Sequence, residues 1–168
     1  METCIKKGRR ISQFKMPGVF DNNFMFSLEH KACEYKPLLY NMSVSLGLAQ
    51  KESHDLVEYV CSVGCKNYNY QNKNFTLKIW LSKILVRNCV FKISSVMFSQ
   101  NENNLQTPLI PFYMSKIPFS FRVVYILFQS FQFAETEVAQ VLNITQMQVR
   151  ERLSKAMVII KSYNFKQA

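Results

Sequence analysis

Glu135-Thr136-Glu137-Val138-Ala139-Gln140-Val141-Leu142-Asn143-Ile144-Thr145-Gln146-Met147-Gln148-Val149-Arg150-Glu151-Arg152 reads as two short helices meeting at a tight turn. Two helices that cross closely need a small residue where their backbones approach, and Ala139 supplies it. The turn needs a residue that tolerates positive φ, and Asn143 enters the left-handed region more readily than other non-glycine residues. An apolar residue must then close the core from the second helix: Val149 fits. Val138, Leu142, Ile144 and Leu153 fill the remaining apolar positions, and Thr145 is placed to cap the second helix by accepting a bond from the amide near Gln148. The start of that helix presents Gln146, Met147, Gln148, Arg150, Glu151 and Arg152. Gln and Arg are the side chains suited to bidentate contacts with adenine and guanine edges in a major groove. With Thr145 and Lys155 these form the candidate DNA-binding set, and Lys155 and Lys161 could reach phosphates. The competing reading is an ordinary helical hairpin whose polar residues face solvent.

Working outward, the 168-residue chain suits one medium domain or two small ones, and its 48% hydrophobic and 14% aromatic content can fill buried cores. The formal charge of +10 points to a polyanionic partner, nucleic acid or an anionic membrane surface. The longest apolar stretch, Phe121 to Phe128, is interrupted by Arg122 and falls short of the roughly 20 residues needed to span a bilayer. Lys6, Lys7, Arg9 and Arg10 are followed by no apolar run, so no secretory signal is read there, and neither membrane insertion nor export is expected. The expected location is cytoplasmic. Cys4, Cys33, Cys61, Cys65 and Cys89 are then expected to be reduced, mostly buried thiols. Cys61 and Cys65 sit one helical turn apart, with His30, Cys33 and His54 also available, but the spacing matches no closed zinc pattern. No metal or cofactor is expected.

Residues 1–23 read as a basic N-terminal tail, either flexible or an arm on phosphates, with a Pro17-Gly18 break. Residues 24–93 carry helical spacing. Leu38, Leu39, Met42, Leu46 and Ala49 recur at three- and four-residue steps, as do Leu56, Val57, Val60 and Val63 or Gly64. Gln50 to Ser53 reads as a polar connection with Ser53 as a helix cap, and Cys65 to Asn74 as a loop. Phe75 to Phe91 returns to helix, with Leu77, Trp80, Leu81, Ile84, Asn88 and Phe91 on one side, and Lys78, Ser82, Lys83 and Arg87 largely elsewhere. Residues 94–116 hold Thr107, Pro108 and Pro111 without a sustained period, which predicts a linker. The expected fold is therefore all-α, with two small helical domains joined by a linker, residues 117–168 forming a helix-turn-helix domain.

Lys66 to Lys92 holds six basic residues and no Asp or Glu, with Tyr68, Tyr70, Phe75 and Trp80 among them. Cations can follow a phosphate backbone while aromatic faces stack on unpaired bases. Tyr68, Tyr70, Lys73, Lys78, Lys83 and Arg87 are the candidates for holding an opened strand, whereas Trp80 is expected in the core because it lies on the apolar side of its helix. Tyr68 and Tyr70 could equally be plain loop residues.

Ile117-Pro118-Phe119-Ser120-Phe121-Arg122-Val123-Val124 resembles the Leu-Pro-x-x-x-Arg-x-Val opening of the C-terminal domain of extracytoplasmic-function sigma factors. Glu137-Val138-Ala139-Gln140-Val141-Leu142-Asn143-Ile144-Thr145 is similar to that family's Glu-Ile-Ala-Glu-Ile-Leu-Gly-Ile-Ser. Val149-Arg150-Glu151-Arg152-Leu153-Ser154-Lys155-Ala156 resembles its Val-Lys-Ser-Arg-Leu-His-Arg-Ala. In the N-terminal half, Leu39-Tyr40 and His54-Asp55-Leu56-Val57 look like the segment that packs and docks onto the polymerase clamp, and Trp80-Leu81 followed by Ile84 resembles the family's Trp-Leu-x-x-Ile helix. The chain departs from the family where Glu58-Tyr59 replaces the usual Gln-Glu, where Arg87 replaces an Asn, and where Glu151 replaces a small polar residue.

The resemblance implies that residues 24–93 form a region-2-like domain binding core RNA polymerase, with Asp55, Leu56, Glu58 and Tyr59 at the contact, and opening the minus-ten element. Residues 117–168 would form a region-4-like domain reading double-stranded promoter DNA at the minus-thirty-five element. An anti-sigma factor is a further partner that the resemblance admits. Two other readings stay open: a helix-turn-helix regulator not bound to polymerase, and a degenerate sigma-like adaptor acting through protein contacts. An enzyme is not expected, because His30 and His54 have no nucleophile or carboxylate partner evident in sequence and no Gly-rich phosphate loop is present.

Overall fold

The computed structural model of the protein describes residues 22–68, 76–99, 114 and 116–164. Among them the regular structure is helical, without strands. Helices α1 (Asn22–Glu34), α2 (Lys36–Leu46), α3 (Gln50–Asn67) and α4 (Leu77–Ser99) form an N-terminal group. Helices α5 (Phe119–Tyr125), α6 (Glu135–Leu142) and α7 (Gln146–Asn164) form a C-terminal group, with a π-helical segment, Ile126–Ser130, continuing α5.

Local chemistry sets the boundaries. Pro37 lies in the first turn of α2, where a missing N–H costs nothing. Gly47, at φ 113°, ends that helix: its N–H donates to the Val44 carbonyl at 2.9 Å, and the Leu48 N–H to Ser43 at 3.1 Å. The connection to α3 is therefore Gly47–Ala49, shorter than and upstream of the expected Gln50–Ser53. Ser53 is not a cap but a fully buried residue inside α3. A Gly before the apolar periodicity resumes was the stronger stop signal.

The α3–α4 crossing depends on Gly64. A Cβ there would run into Leu81, and the Gly64 carbonyl accepts a hydrogen bond from the Trp80 indole N–H at 3.0 Å. Trp80 is half-buried, its polar edge satisfied by that bond. Helix α4 differs from expectation in two ways. It runs to Ser99, past Ile93 and into the expected linker, of which residues 100–113 and 115 lie outside the described residues. Its buried side also sits differently: Ser82 is buried while Phe91 is 74% exposed. Leu77, Ile79, Leu81, Leu85, Val86 and Cys89 are buried, so the helix is covered on several sides and a single-face reading misplaces its edges.

The two groups share one core. Helix α4 packs on α2, α3 and α6, and α2 also meets the π segment. In that segment the Phe131 N–H reaches the Ile126 carbonyl at 3.2 Å, the wider ring of a π turn. Gln132 follows at φ 54°, and Phe133 turns inward to 1% exposure. Arg122, the arginine of the Ile117 motif, is 7% exposed. Its Nη1 donates to the Met114 carbonyl at 3.4 Å and its guanidinium lies 5.3 Å from the Phe119 ring centroid, while burial pulls its pKa down. None of the described helices is long and apolar enough to cross a membrane.

Candidate nucleic-acid interface

Helix α6 opens after Ala134, whose N–H donates to Glu137 Oε2 at 2.8 Å. This is the returning half of a capping box, and Ala134 has no side-chain oxygen to complete it. Glu135 and Glu137 in the first turn suit the positive end of the helix dipole. The helix stops at Asn143, in the left-handed region at φ 54° and ψ 48°. The Asn143 N–H and the Ile144 N–H both donate to the Ala139 carbonyl, the latter at 3.0 Å. Ala139 is buried beside this turn, as the close crossing of α6 and α7 requires.

Thr145 then starts α7 with a complete reciprocal cap. The Gln148 N–H donates to Thr145 Oγ1 at 3.2 Å, and the Thr145 N–H donates to Gln148 Oε1 at 3.0 Å. Val149 and Ala156 are fully buried against the body. The helix consequently holds its outer face in solvent: Thr145, Gln146, Met147, Gln148, Arg150, Glu151 and Lys155 are exposed, Met147 at 79%, whereas Arg152 is half-buried. A shallow cleft of about 590 Å³ lies between the helices, lined by Thr136, Gln140, Asn143, Gln146 and Gln148 among others.

Two ion pairs occupy this face. Arg150 Nε donates to Glu135 Oε2 at 2.7 Å, tying α7 to the first turn of α6. Lys155 Nζ donates to Glu151 Oε1 at 2.6 Å, and that bond holds the Glu151 carboxyl below its ordinary range. Glu135 is the partner that sequence reasoning missed; a pairing across two helices leaves no i,i+4 signature.

Of the candidates for strand binding, Lys78, Lys83 and Arg87 lie on α4 and Tyr68 follows α3. Lys78 is half-buried, with Nζ 4.0 Å from the centroid of the Phe133 ring, a cation–π contact joining α4 to the entry of α6. Tyr68 and Lys83 are half-buried and Arg87 is exposed. Tyr70 and Lys73 lie outside the described residues.

Of the residues expected to meet polymerase, Asp55, Glu58 and Tyr59 are exposed on α3, Tyr59 at 53%. Leu56 is 3% exposed and belongs to the core, which removes it from any surface contact. It marks the inner side of the helix that displays the other three. Glu58 accepts two hydrogen bonds from Lys36 Nζ, at 2.7 and 2.8 Å, which raise the lysine's pKa. Tyr40 and His54 stack with ring centroids 4.4 Å apart.

The thiols of Cys61 and Cys65 point to main-chain carbonyls of α1, Ala32 at 3.8 Å and Leu28 at 3.9 Å. Burial pushes Cys61 up to about 11 and Cys89 up to about 12. Among the described residues no three His, Cys, Asp or Glu side chains converge as a metal site would require.

No family model matches the chain, and no curated protein matches it. Solved structures do. CnrH, determined in complex with the cytosolic domain of CnrY, superposes with a TM-score of 0.65 at 12% identity over 85% of this chain and 90% of that one. The sigma factor RpoE of Bartonella quintana, determined with the anti-sigma factor NepR, gives 0.64 at 15% identity over 81% of this chain and 95% of that one. Both alignments run across the N-terminal and the C-terminal helical groups, so the chain shares the whole all-α fold of these two proteins rather than a single motif.

Proposed function

We propose that the chain is a sigma factor that binds core RNA polymerase and directs it to promoter DNA. One observation carries this: the first turns of α7 are held out in solvent by a left-handed Asn143 and a reciprocal Thr145–Gln148 cap. The likeness in fold to the sigma factor RpoE supports the reading. So does the net charge of +10. In this reading α7 enters the major groove, with Thr145, Gln146, Met147, Gln148, Arg150, Glu151, Arg152 and Lys155 as its DNA-facing set. The α3 surface of Asp55, Glu58 and Tyr59 meets polymerase. Lys83 and Arg87 on α4, with Tyr68, Tyr70 and Lys73, track the opened strand, while Lys78, held over Phe133, reaches it only by leaving that ring. An anti-sigma factor restrains the protein, as NepR accompanies RpoE. The protein works in the cytoplasm, carries out no chemistry of its own and takes no cofactor.

A second reading, a sigma-like adaptor that acts through protein contacts, is favoured by the two ion pairs, since Arg150 and Lys155 already have carboxylate partners. Two measurements separate them. Core polymerase should co-purify with the full chain, and the complex should hold promoter duplexes with an affinity that falls steeply as salt rises. Polymerase binding with no salt-dependent DNA contribution from the chain selects the adaptor. Failure to bind polymerase removes the sigma reading.

A further inference from the structure

The start of α7 is chemically lopsided. Guanine is read in the major groove by Arg or Lys, and cytosine by a carboxylate accepting from its exocyclic amine. Both chemistries are present in the first turns of α7, and both are engaged within the chain: Arg150 through Nε with Glu135 at 2.7 Å, and Glu151 through Oε1 with Lys155 at 2.6 Å. Arg152 is half-buried on the side of the helix nearer the body. Adenine is read by a carboxamide that donates to N7 and accepts from N6, and thymine by an apolar contact with its methyl group. The side chains with that chemistry are the open ones. Gln146 is exposed at the helix start and Gln140 lines the same cleft from α6. Met147 carries its thioether methyl outward at 79% exposure. Gln148 is held by its bond to the Thr145 N–H, which leaves its NH₂ free to donate.

We infer that α7 reads an A·T-rich duplex site, with Gln146 on an adenine and Met147 on a thymine methyl, and that Glu135 sets this preference by withholding Arg150 from guanine. The inference rests on the proposed promoter-reading function and deepens it. An exposed ion pair is weak, so Arg150 can leave Glu135 when a guanine is offered, but it gives up that partner to do so. The preference is therefore a bias that Glu135 controls, and removing the carboxylate should shift it.

The test is selection of duplexes from a random library by core RNA polymerase carrying the full-length chain, with circular dichroism confirming that each variant folds. The wild-type chain should enrich A·T pairs at the positions under α7. Gln146→Ala should lower adenine preference at one position roughly tenfold. Glu135→Gln should admit guanine at one position, and Arg150→Ala in that background should abolish the gain. Enrichment of guanine by the wild-type chain, unaltered by Glu135→Gln, overturns the inference and leaves the sigma reading standing. So does retention of duplexes without base preference by a complex that has formed. A chain that loads onto no polymerase and holds no duplex overturns the reading beneath it as well.

Discussion

Among the described residues, helices α4 and α7 are the two longest, at 23 and 19 residues, and each carries four basic residues. Lys78 on α4 and the pair Arg150 and Lys155 on α7 are held in different ways. Helix α4 lies at the centre, against α2, α3 and α6, and its lysines must find a place among packed elements: Lys78 settles over the Phe133 ring. Helix α7 lies against α5 and α6, burying Val149 and Ala156 fully and Leu153, Ile159 and Ile160 in part. Arg150 and Lys155 find carboxylates at the surface instead. The difference teaches that a basic helix is not yet a binding surface. Position decides whether a lysine bridges two parts of the protein or is displayed to a partner.

Truncating the central helix is the harshest way to break this contrast. Leu85→Ala, at a fully buried position on α4, should cost about 2–5 kcal/mol by urea denaturation followed by circular dichroism. Val158→Ala on the outer side of α7 should stay within about 0.5 kcal/mol of wild type. Comparable losses at both would erase the distinction between centre and edge.

The next effect falls on the turn that sets α7 outward. Asn143→Ala places a Cβ-bearing residue without a local polar side chain at φ 54°, and should cost about 1–2 kcal/mol, whereas Asn143→Gly should be tolerated. Loss of the cap by Thr145→Ala should cost about 1 kcal/mol and fray the start of α7, read as faster amide exchange at Gln148.

The C-terminal motif was legible because each of its requirements is a single residue at a fixed offset. Ala139, Asn143, Thr145 and Val149 all sit where the sequence places them, and the Thr145 cap forms with Gln148 as read. The all-α fold was legible for the same reason, from spacing alone. The edges of α4 were not, since a helix covered on several sides has no clean apolar stripe, and Ser82 and Phe91 exchange their expected roles. Ser53 was misread because the Gly47 stop comes earlier than the polar stretch that suggested a connection. Contacts that join distant segments, such as Arg150 with Glu135, Lys78 with Phe133 and Lys36 with Glu58, leave no mark in local sequence.

A further effect on stability appears in alkali. Burial raises Cys61 to about 11 and Cys89 to about 12 from an ordinary value of 9.0, so the folded state favours the neutral thiols. A raised pKa stabilises below the unfolded value and loses that contribution as pH climbs through the folded one. The denaturation midpoint should fall from about pH 9 upward, and Cys89→Ala should flatten that slope. At neutral pH, Cys61 and Cys89 should resist alkylation while exposed Cys33 reacts, as mapped by mass spectrometry. Rapid labelling of Cys89 would mean that the centre of α4 is less tightly covered than its neighbours indicate.

The most direct test of the central claim is run-off transcription from a library of duplex templates by core RNA polymerase, with and without the full-length chain. RNA should start at a discrete set of sites that appears only when the chain is added and fades when Asn143→Pro destroys the turn before α7. An unchanged distribution of starts, with no polymerase migrating alongside the chain, would contradict it.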